Sequence, residues 1–326
     1  MTRNDSTSCS RSKAHPLRGY CYIAGAAFCW GVSAALGRAV FTGRLLPGAA
    51  TDIGPLILSQ ARTTIALLVL APILLLRRGA ASLAVPRVDF GRALFIGICG
   101  VAASNYFYYL AIQKTNVATA IILQYTAPIW VLLYMVGRRL QRATLQRSAA
   151  VFLAVAGNAL VIGILGPGRF RISTLGVVAG QLAALSFACY NIAIPGMLAR
   201  HDRWKTLLYI LLGTSLFWVV VNPPWRIVAA HYTGQQWLFL SVFAVISVLL
   251  PFAFYISGLQ YLDATRAVVT SCLEPVFSIV ITAISLGEAV TALQVVGIVI
   301  VLGASVLVQL PSRREKAAPA TIELME

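Results

Sequence analysis

The chain has 326 residues, of which 59% are hydrophobic and only 11% are charged. Soluble domains carry about a quarter of their residues as charges, so this chain has too few to cover a surface that faces water. Its formal net charge of +16 could indicate a nucleic-acid partner, but the placement of the cations along the chain argues against that class.

Apolar stretches long enough to cross a bilayer recur along the whole chain. A crossing needs about 20 apolar residues, and such windows lie near 19–41, 56–76, 92–112, 117–136, 145–165, 175–197, 206–222, 236–258, 266–286 and 292–310. The sequence therefore predicts an all-α integral membrane protein with about ten transmembrane helices. We expect residues 1–17 and 311–326 to form cytoplasmic tails, the first disordered and without a cleavable signal peptide.

The cations alternate between rich and poor loops. Clusters such as Arg77–Arg78 and Arg138–Arg139 fall on one side of the predicted membrane, together with Arg200. The loops on the other side hold few cations. The positive-inside rule places both termini in the cytoplasm of a multi-pass protein, which we expect in a bacterial inner membrane with no nucleic-acid partner.

The two halves of the chain resemble each other. "YYLAIQKTNVATAIILQYTAPIWVLL" (108–133) aligns with "YISGLQYLDATRAVVTSCLEPVFSIV" (255–280), which matches Pro128 to Pro275. We therefore predict two five-helix repeats, 18–165 and 172–310. An odd number of crossings inverts the second copy, and inverted repeats around a central cavity are typical of transporters. The alternative is a duplicated membrane scaffold that transports nothing.

Three segments resemble the EamA-type family of the drug/metabolite transporter superfamily. They are "AAFCWGVSAALGRAV" (26–40), "LSQARTTIALLVLAPILLLRRG" (58–79) and "LEPVFSIVITAISLGE" (273–288). The resemblance covers the chain outside its tails. It implies ten helices around a central cavity and export of amino acids or other small metabolites, by proton coupling or by facilitated diffusion.

The ninth predicted helix carries Glu274 near its middle, followed by Pro275. A charge at this depth costs roughly 2.5–3.5 kcal/mol, so we expect Glu274 to face protein or water rather than lipid. It either contacts a substrate amine or a transported proton, or is a structural carboxyl between two helices. Arg266 lies two turns earlier and could flank the ligand. We expect Pro128 and Pro275 to kink their helices and take part in gating.

Other polar and aromatic side chains fall at matching depths in the two halves. For each aromatic, packing is the alternative to ligand contact, whereas an amide within hydrocarbon needs a partner. The residues predicted to bind substrate with Glu274 are Trp30, Asn105, Tyr109, Tyr190, Asn191, Tyr255 and Thr270. We expect Trp30, Tyr109 and Tyr190 to stack on the substrate and Asn105, Asn191 and Thr270 to hold its polar end.

Signatures of catalysis are absent from the sequence, which contains no HExxH, nucleophile elbow or phosphate-binding loop. We expect no enzyme activity, no cofactor apart from possible proton coupling, and no metal. The prediction is a secondary transporter, an exporter of amino acids or related metabolites by alternating access, present as a monomer or a homodimer. A channel or scaffold, and less so a membrane enzyme, are the alternatives.

Overall fold

The computed structural model describes residues 16–41, 53, 55–115, 117–163, 173–287 and 289–310. Ten of its helices are long and apolar enough to cross a membrane, which confirms the predicted fold class. They are α1 Pro16–Phe41, α2 Pro55–Arg78, α3 Arg87–Lys114, α4 (Val117–Gln124 and Ala127–Gly137), α5 Leu145–Ile162, α6 Thr174–Leu198, α7 Arg203–Val221, α8 Gly234–Leu259, α9 (Ala264–Ser271 and Glu274–Leu286) and α10 Ala292–Gln309.

The predicted tails need one correction. Pro16 and Leu17, placed in the first tail, begin α1. Proline suits the first turn of a helix, because the N–H groups there lack a partner within the helix. The rest of both predicted tails lies outside the described residues. Short helical turns, Ala80–Leu83 and Pro224–Val228, lie in the connections after α2 and α7.

Helix ends follow the local chemistry of the sequence. Thr291 and Gln294 form a capping box at the start of α10, where each side chain accepts a hydrogen bond from the other residue's backbone N–H. At helix C-termini, Gly163 and Gly287 adopt left-handed conformations directly after α5 and α9. These glycines satisfy the backbone geometry that commonly ends a helix.

Small residues set the closest helix contacts. A Cβ atom added to Gly157 of α5 would lie 3.1 Å from the carbonyl oxygen of Gly297 in α10. In the same way, a Cβ on Gly31 of α1 would lie 2.9 Å from the backbone nitrogen of Ser278 in α9. Helices inside a membrane associate through such small-residue contacts, because lipid supplies no hydrophobic force between them.

Two helices are interrupted at equivalent places in the two halves. The α-helical hydrogen-bond pattern is interrupted at 125–126 in α4 and at 272–273 in α9. Pro128 and Pro275 are each the second residue of the following half-helix. A proline cannot donate to the carbonyl four residues earlier. The backbone carbonyl groups of Gln124 and Ser271 therefore receive no hydrogen bond from the residue four positions later.

Helices α3 and α8 each contain a π-helical segment, at Ile96–Ala102 and Val245–Leu249. Neither segment was predicted from the sequence. In α3, Gly97 approaches α7 so closely that an added Cβ would lie 2.3 Å from the carbonyl oxygen of Ile210. Wider π turns change the direction of the side chains that follow, and they are frequent at functional sites.

Candidate functional site

A cavity of about 830 Å³ occupies the interior of the bundle. It begins near the middle of the helices and continues toward one end, where it reaches the exposed residues Ala289 and Val290. The polar and aromatic side chains on its wall are Trp30, Ser33, Arg62, Thr63, Ser104, Asn105, Tyr108, Tyr109, Gln124, Tyr125, Phe187, Tyr190, Phe243, Ser247, Phe252, Ser271, Cys272, Glu274, Ser278, Thr282 and Gln294.

Glu274 begins the second half of α9 and lines the cavity, partly buried. The Tyr125 side chain, from the interruption of α4, lies close enough to the carboxylate to interact with it. The two broken helices therefore meet at the acidic group. A carboxylate in the first turn of a half-helix is also favoured by the positive end of the helix dipole.

Arg62 of α2 supplies a positive charge to the same cavity, close enough to act on Glu274 electrostatically. One guanidinium nitrogen, Nη2, donates to Asn105 Oδ1 at 2.8 Å, and Asn105 Nδ2 donates to the carbonyl of Val101 at 3.0 Å. The Nε atom of Arg62 is buried without a hydrogen-bond partner. Among the described residues, the cavity wall thus presents one anionic and one cationic group, which suits a ligand that carries both charges.

Aromatic rings form an apolar side of the cavity. Trp30 meets the Phe252 ring edge-on at a centroid distance of 5.7 Å, and Tyr190 stacks on Phe187 at 6.0 Å. Tyr109 stands on the wall with its hydroxyl 2.9 Å from that of Ser59. Such rings can pack against the apolar part of a ligand with a geometry beyond simple area burial.

Three of the predicted binding residues lie behind the wall rather than on it. Asn191 and Tyr255 are fully buried and hydrogen-bond to each other, and the Asn191 amide also donates to the Phe187 carbonyl at 2.8 Å. Thr270 is 2% exposed and donates to the carbonyl of Arg266 at 2.8 Å. The amides and hydroxyls of these residues are thus already satisfied by protein.

Arg266, which the sequence suggested as a residue flanking the ligand, lies away from the cavity. Arg266 does not belong to the cavity wall but lies at the start of α9, where its Nε is 3.5 Å from Asp263 Oδ2. Helical spacing places Arg266 two turns before Glu274, but this spacing does not predict the direction of the Arg266 side chain. Arg62 of another helix faces Glu274 instead, and only its place inside an apolar window could have signalled it.

The opposite end of the bundle is closed. We call it the arginine-rich end, because it carries Arg78, Arg92, Arg138, Arg200 and Arg203. Helices α1–α5 form the first half of the chain and α6–α10 the second. At this end polar bonds join the two halves: Asp89 to Arg200 at 2.7 Å and to His201 at 2.9 Å, Arg78 to Asp202 at 2.8 Å, and Thr265 to Gln141 at 2.9 Å.

No group of three or more His, Cys, Asp or Glu side chains within the described ranges could hold a metal ion. The cysteines there that are free are Cys21, Cys29, Cys99, Cys189 and Cys272. The described groups that can bind a ligand at this site are its two charged side chains, its amides and its aromatic rings.

Ten apolar helices around a central cavity define a multi-pass membrane protein. The EamA-like transporter family model matches residues 17–163 and again residues 174–310. The chain belongs to this family of membrane transporters. A solved crystal structure that is 19% identical shares the fold, with a TM-score of 0.71 over 91% of this chain and 98% of that one.

Curated relatives are named as transporters. The uncharacterized inner membrane transporter YicL of Salmonella typhimurium is 25% identical over 71% of this chain and 77% of its own length. The threonine/homoserine exporter RhtA of the same species is 26% identical over 68% and 72%. The pseudopaline exporter CntI of Pseudomonas aeruginosa is 28% identical over 55% and 62%.

Proposed function

We propose that this protein is a secondary transporter that exports amino acids or related small metabolites from a bacterial cell by alternating access. The observation that carries the proposal is the cavity lined by Glu274 and Arg62 together with aromatic rings. An amino acid matches this arrangement, because its ammonium and carboxylate groups need opposite charges and its side chain needs an apolar surface. The names of RhtA and CntI support an exported metabolite of this kind.

In this proposal Glu274 accepts the substrate amine, or carries a proton in exchange, while Arg62 and Asn105 hold the carboxylate. Trp30, Tyr109 and Tyr190 pack on the apolar part. Asn191, Tyr255 and Thr270 then act indirectly, by fixing the rings and the helix behind the wall.

The proposed transport cycle follows from the one-sided cavity. Under the positive-inside topology the arginine-rich end faces the cytoplasm, so the structure is open to the outside. Opening to the cytoplasm requires the bonds between the halves at that end to break, with Pro128 and Pro275 as the bending points of α4 and α9. Inverted repeats commonly alternate in this way around a fixed site.

The test is counterflow of labelled amino acids in proteoliposomes, with wild type and Glu274→Gln side by side. We expect saturable counterflow in the wild type and a decrease of about tenfold or more in the variant, because the amide loses a charge-assisted bond. Asp263→Asn is the matched control, since it removes a carboxylate from the same helix outside the cavity. Folding is checked by the melting temperature.

An imposed pH gradient separates the two roles of Glu274. Stimulation by the gradient in the wild type, lost in Glu274→Gln, identifies a transported proton. Counterflow that ignores the gradient identifies facilitated diffusion with Glu274 on the substrate amine. Normal transport by a folded Glu274→Gln would remove the carboxylate from the site, and flux without saturation would make the protein a channel.

A further inference from the structure

A second, separate hollow lies on the outside of the bundle, in the groove between α3 and α6 near the arginine-rich end. Its volume is about 530 Å³. Gly91 and Phe95 from α3 and Gly196 and Met197 from α6 form its apolar part, and Arg92 and Arg200 stand at its rim. None of these residues lines the transport cavity.

The two glycines keep this groove open. A Cβ added to Gly91 or to Gly196 would meet no heavy atom within 4 Å, so neither glycine is required by a close helix contact. Gly97 and Gly100 of the same helix differ, because an added Cβ there would lie within 3.0 Å of α7 or α6. Glycine is the poorest helix former apart from proline, and here its effect is to leave space between two helices.

The rim of the groove has a surplus of positive charge. Arg92 and Arg200 both donate to the same oxygen, Oδ1 of Asp89, at 3.0 and 2.7 Å, while His201 contacts Oδ2 at 2.9 Å. One carboxylate therefore neutralises one of two guanidinium groups. The Asp89 side chain is 8% exposed, whereas those of Arg92 and Arg200 are 50% and 49% exposed. Each guanidinium has five N–H donors, which leaves several free to face outward.

The depth of these groups matches a membrane interface. Arg92 lies five residues after the start of α3 at Arg87, which is about 7.5 Å along the helix axis, and Arg200 follows the end of α6 at Leu198. Apolar side chains continue along both helices into the predicted hydrocarbon region; Phe95, for example, is 52% exposed. A ligand here meets cations at the headgroup level and an apolar groove directly below.

We propose that this groove binds one anionic phospholipid, with its phosphate on Arg92 and Arg200 and an acyl chain over Gly91 and Gly196. Basic pockets between transmembrane helices on the cytoplasmic side are suited to anionic headgroups. The two arginines also bind Asp89. A bound lipid would therefore affect the contact between Asp89 of α3, in the first half, and Arg200 at the end of α6, in the second half. The proposal does not depend on the identity of the transported substrate.

The test is native mass spectrometry of the purified full-length protein in detergent, titrated with phosphatidylglycerol or with phosphatidylcholine. We expect the wild type to retain phosphatidylglycerol in preference. Gly196→Leu and Gly91→Leu fill the groove without changing its charge and should abolish the preference. Gly303→Leu is the matched control, because a Cβ at Gly303 of α10 also meets nothing within 4 Å.

A charge variant supplies a second comparison. Arg200→Gln should weaken phosphatidylglycerol binding about fivefold, the change that corresponds to about 1 kcal/mol per basic residue near an anionic lipid. Arg77→Gln, which removes an exposed arginine at the same end outside the groove, should leave it unchanged. Melting temperatures without added lipid show which variants are folded.

Three results would overturn the proposal. Equal retention of the two lipids would show that the arginines do not select a headgroup charge. Phosphatidylglycerol binding that survives in folded Gly91→Leu and Gly196→Leu would place the lipid elsewhere. Displacement of the lipid by millimolar inorganic phosphate, with phosphate itself retained, would make the rim a site for free phosphate.

Discussion

At the scale of single residues, the cavity combines opposite charges with aromatic rings contributed by different helices. Glu274 comes from α9, Arg62 from α2 and Trp30 from α1. Each charged group has a neutral polar neighbour from another helix, since Tyr125 lies near Glu274 and Asn105 accepts a hydrogen bond from Arg62. The two charged groups therefore come from separate helices, and a ligand with two opposite charges can bridge them.

Trp30→Ala should weaken apparent substrate affinity with a smaller effect on the maximal rate. A ring contact is worth about 0.5–1.5 kcal/mol, which corresponds to a roughly two- to twelvefold rise in the apparent KM. Trp225→Ala is the control, because Trp225 is 70% exposed outside the cavity. An unchanged KM for a folded Trp30→Ala in the counterflow assay would remove the ring from the site.

Asp202 combines two stabilising roles that two substitutions can separate. It caps α7 by accepting from the backbone N–H groups of Trp204 and Lys205, and it pairs with Arg78. Asp202→Asn keeps a capping oxygen and loses an exposed ion pair, worth less than about 1 kcal/mol. Asp202→Ala also loses the cap, at a cost of about 1 kcal/mol more. Melting temperatures in detergent should therefore fall further for Asp202→Ala, and equal decreases would contradict the capping role.

The pH dependence of this contribution follows from the pKa of Asp202. Burial raises that pKa, but the hydrogen bonds from Arg78 and from the backbone of Lys205 and Trp204 outweigh it, so the pKa lies below its ordinary value of 3.8. A lowered pKa means that the stabilisation is complete above the ordinary value and is lost as the pH falls through the lowered one. The difference in melting temperature between wild type and Asp202→Ala should therefore stay constant from about pH 5 to pH 8.

At the scale of helices, α1 and α9 meet through Gly31. An added Cβ there would lie 2.7 Å from Phe277 Cβ and 2.9 Å from the backbone nitrogen of Ser278, and a backbone atom cannot move aside as a flexible side chain does. Since Ser278 lies one turn after Glu274, any displacement of α9 at this point also moves the acidic group.

Gly31→Ala should reduce transport and lower the melting temperature, with a loss of about 1–3 kcal/mol typical of overpacking. Gly25→Ala is the matched control in the same helix, because the nearest atom to its added Cβ, in Phe254, lies at 3.5 Å. Counterflow and thermal melting of both variants make the comparison. Similar behaviour of the two would show that α1 and α9 do not need this close approach.

The sequence predicts the helices better than their interruptions. The apolar windows were enough to predict the ten helices, and Pro275 lies next to the interruption of α9 at 272–273. The π segments of α3 and α8 leave no mark on the local hydrophobic periodicity. The close approach of Gly97 in α3 to α7 is likewise a contact between distant parts of the chain, which local periodicity does not contain. Thr270 shows the same limit, because helical spacing grouped it with Glu274 across a break at 272–273.

At the scale of the whole molecule, the structure is closed at the arginine-rich end and open at the other. Asp89 is the centre of the closure, since it contacts Arg92 of its own helix and both Arg200 and His201 of the second half. The contact between Thr265 and Gln141 adds a second link between the halves at this end.

Asp89→Asn should shift the protein toward conformations open at the arginine-rich end. The amide cannot balance the two arginines, so the closed state loses charge-assisted bonds at this end. Deuterium uptake should rise in segments 196–205 and 262–272. Arg77→Gln controls for a charge change at the same end. Unchanged uptake in folded Asp89→Asn would show that packing alone keeps this end closed.

The one-sided cavity also has an electrical consequence in a polarised membrane. Solution that enters the open end carries its potential to the middle of the bundle, so most of the voltage falls across the packed half between Glu274 and Asp89. Moving one elementary charge through 100 mV changes its energy by about 2.3 kcal/mol. A charged cargo at Glu274 is therefore already near the potential of the solution at the open end, and the electrical work of transport is concentrated in passage through the closed half.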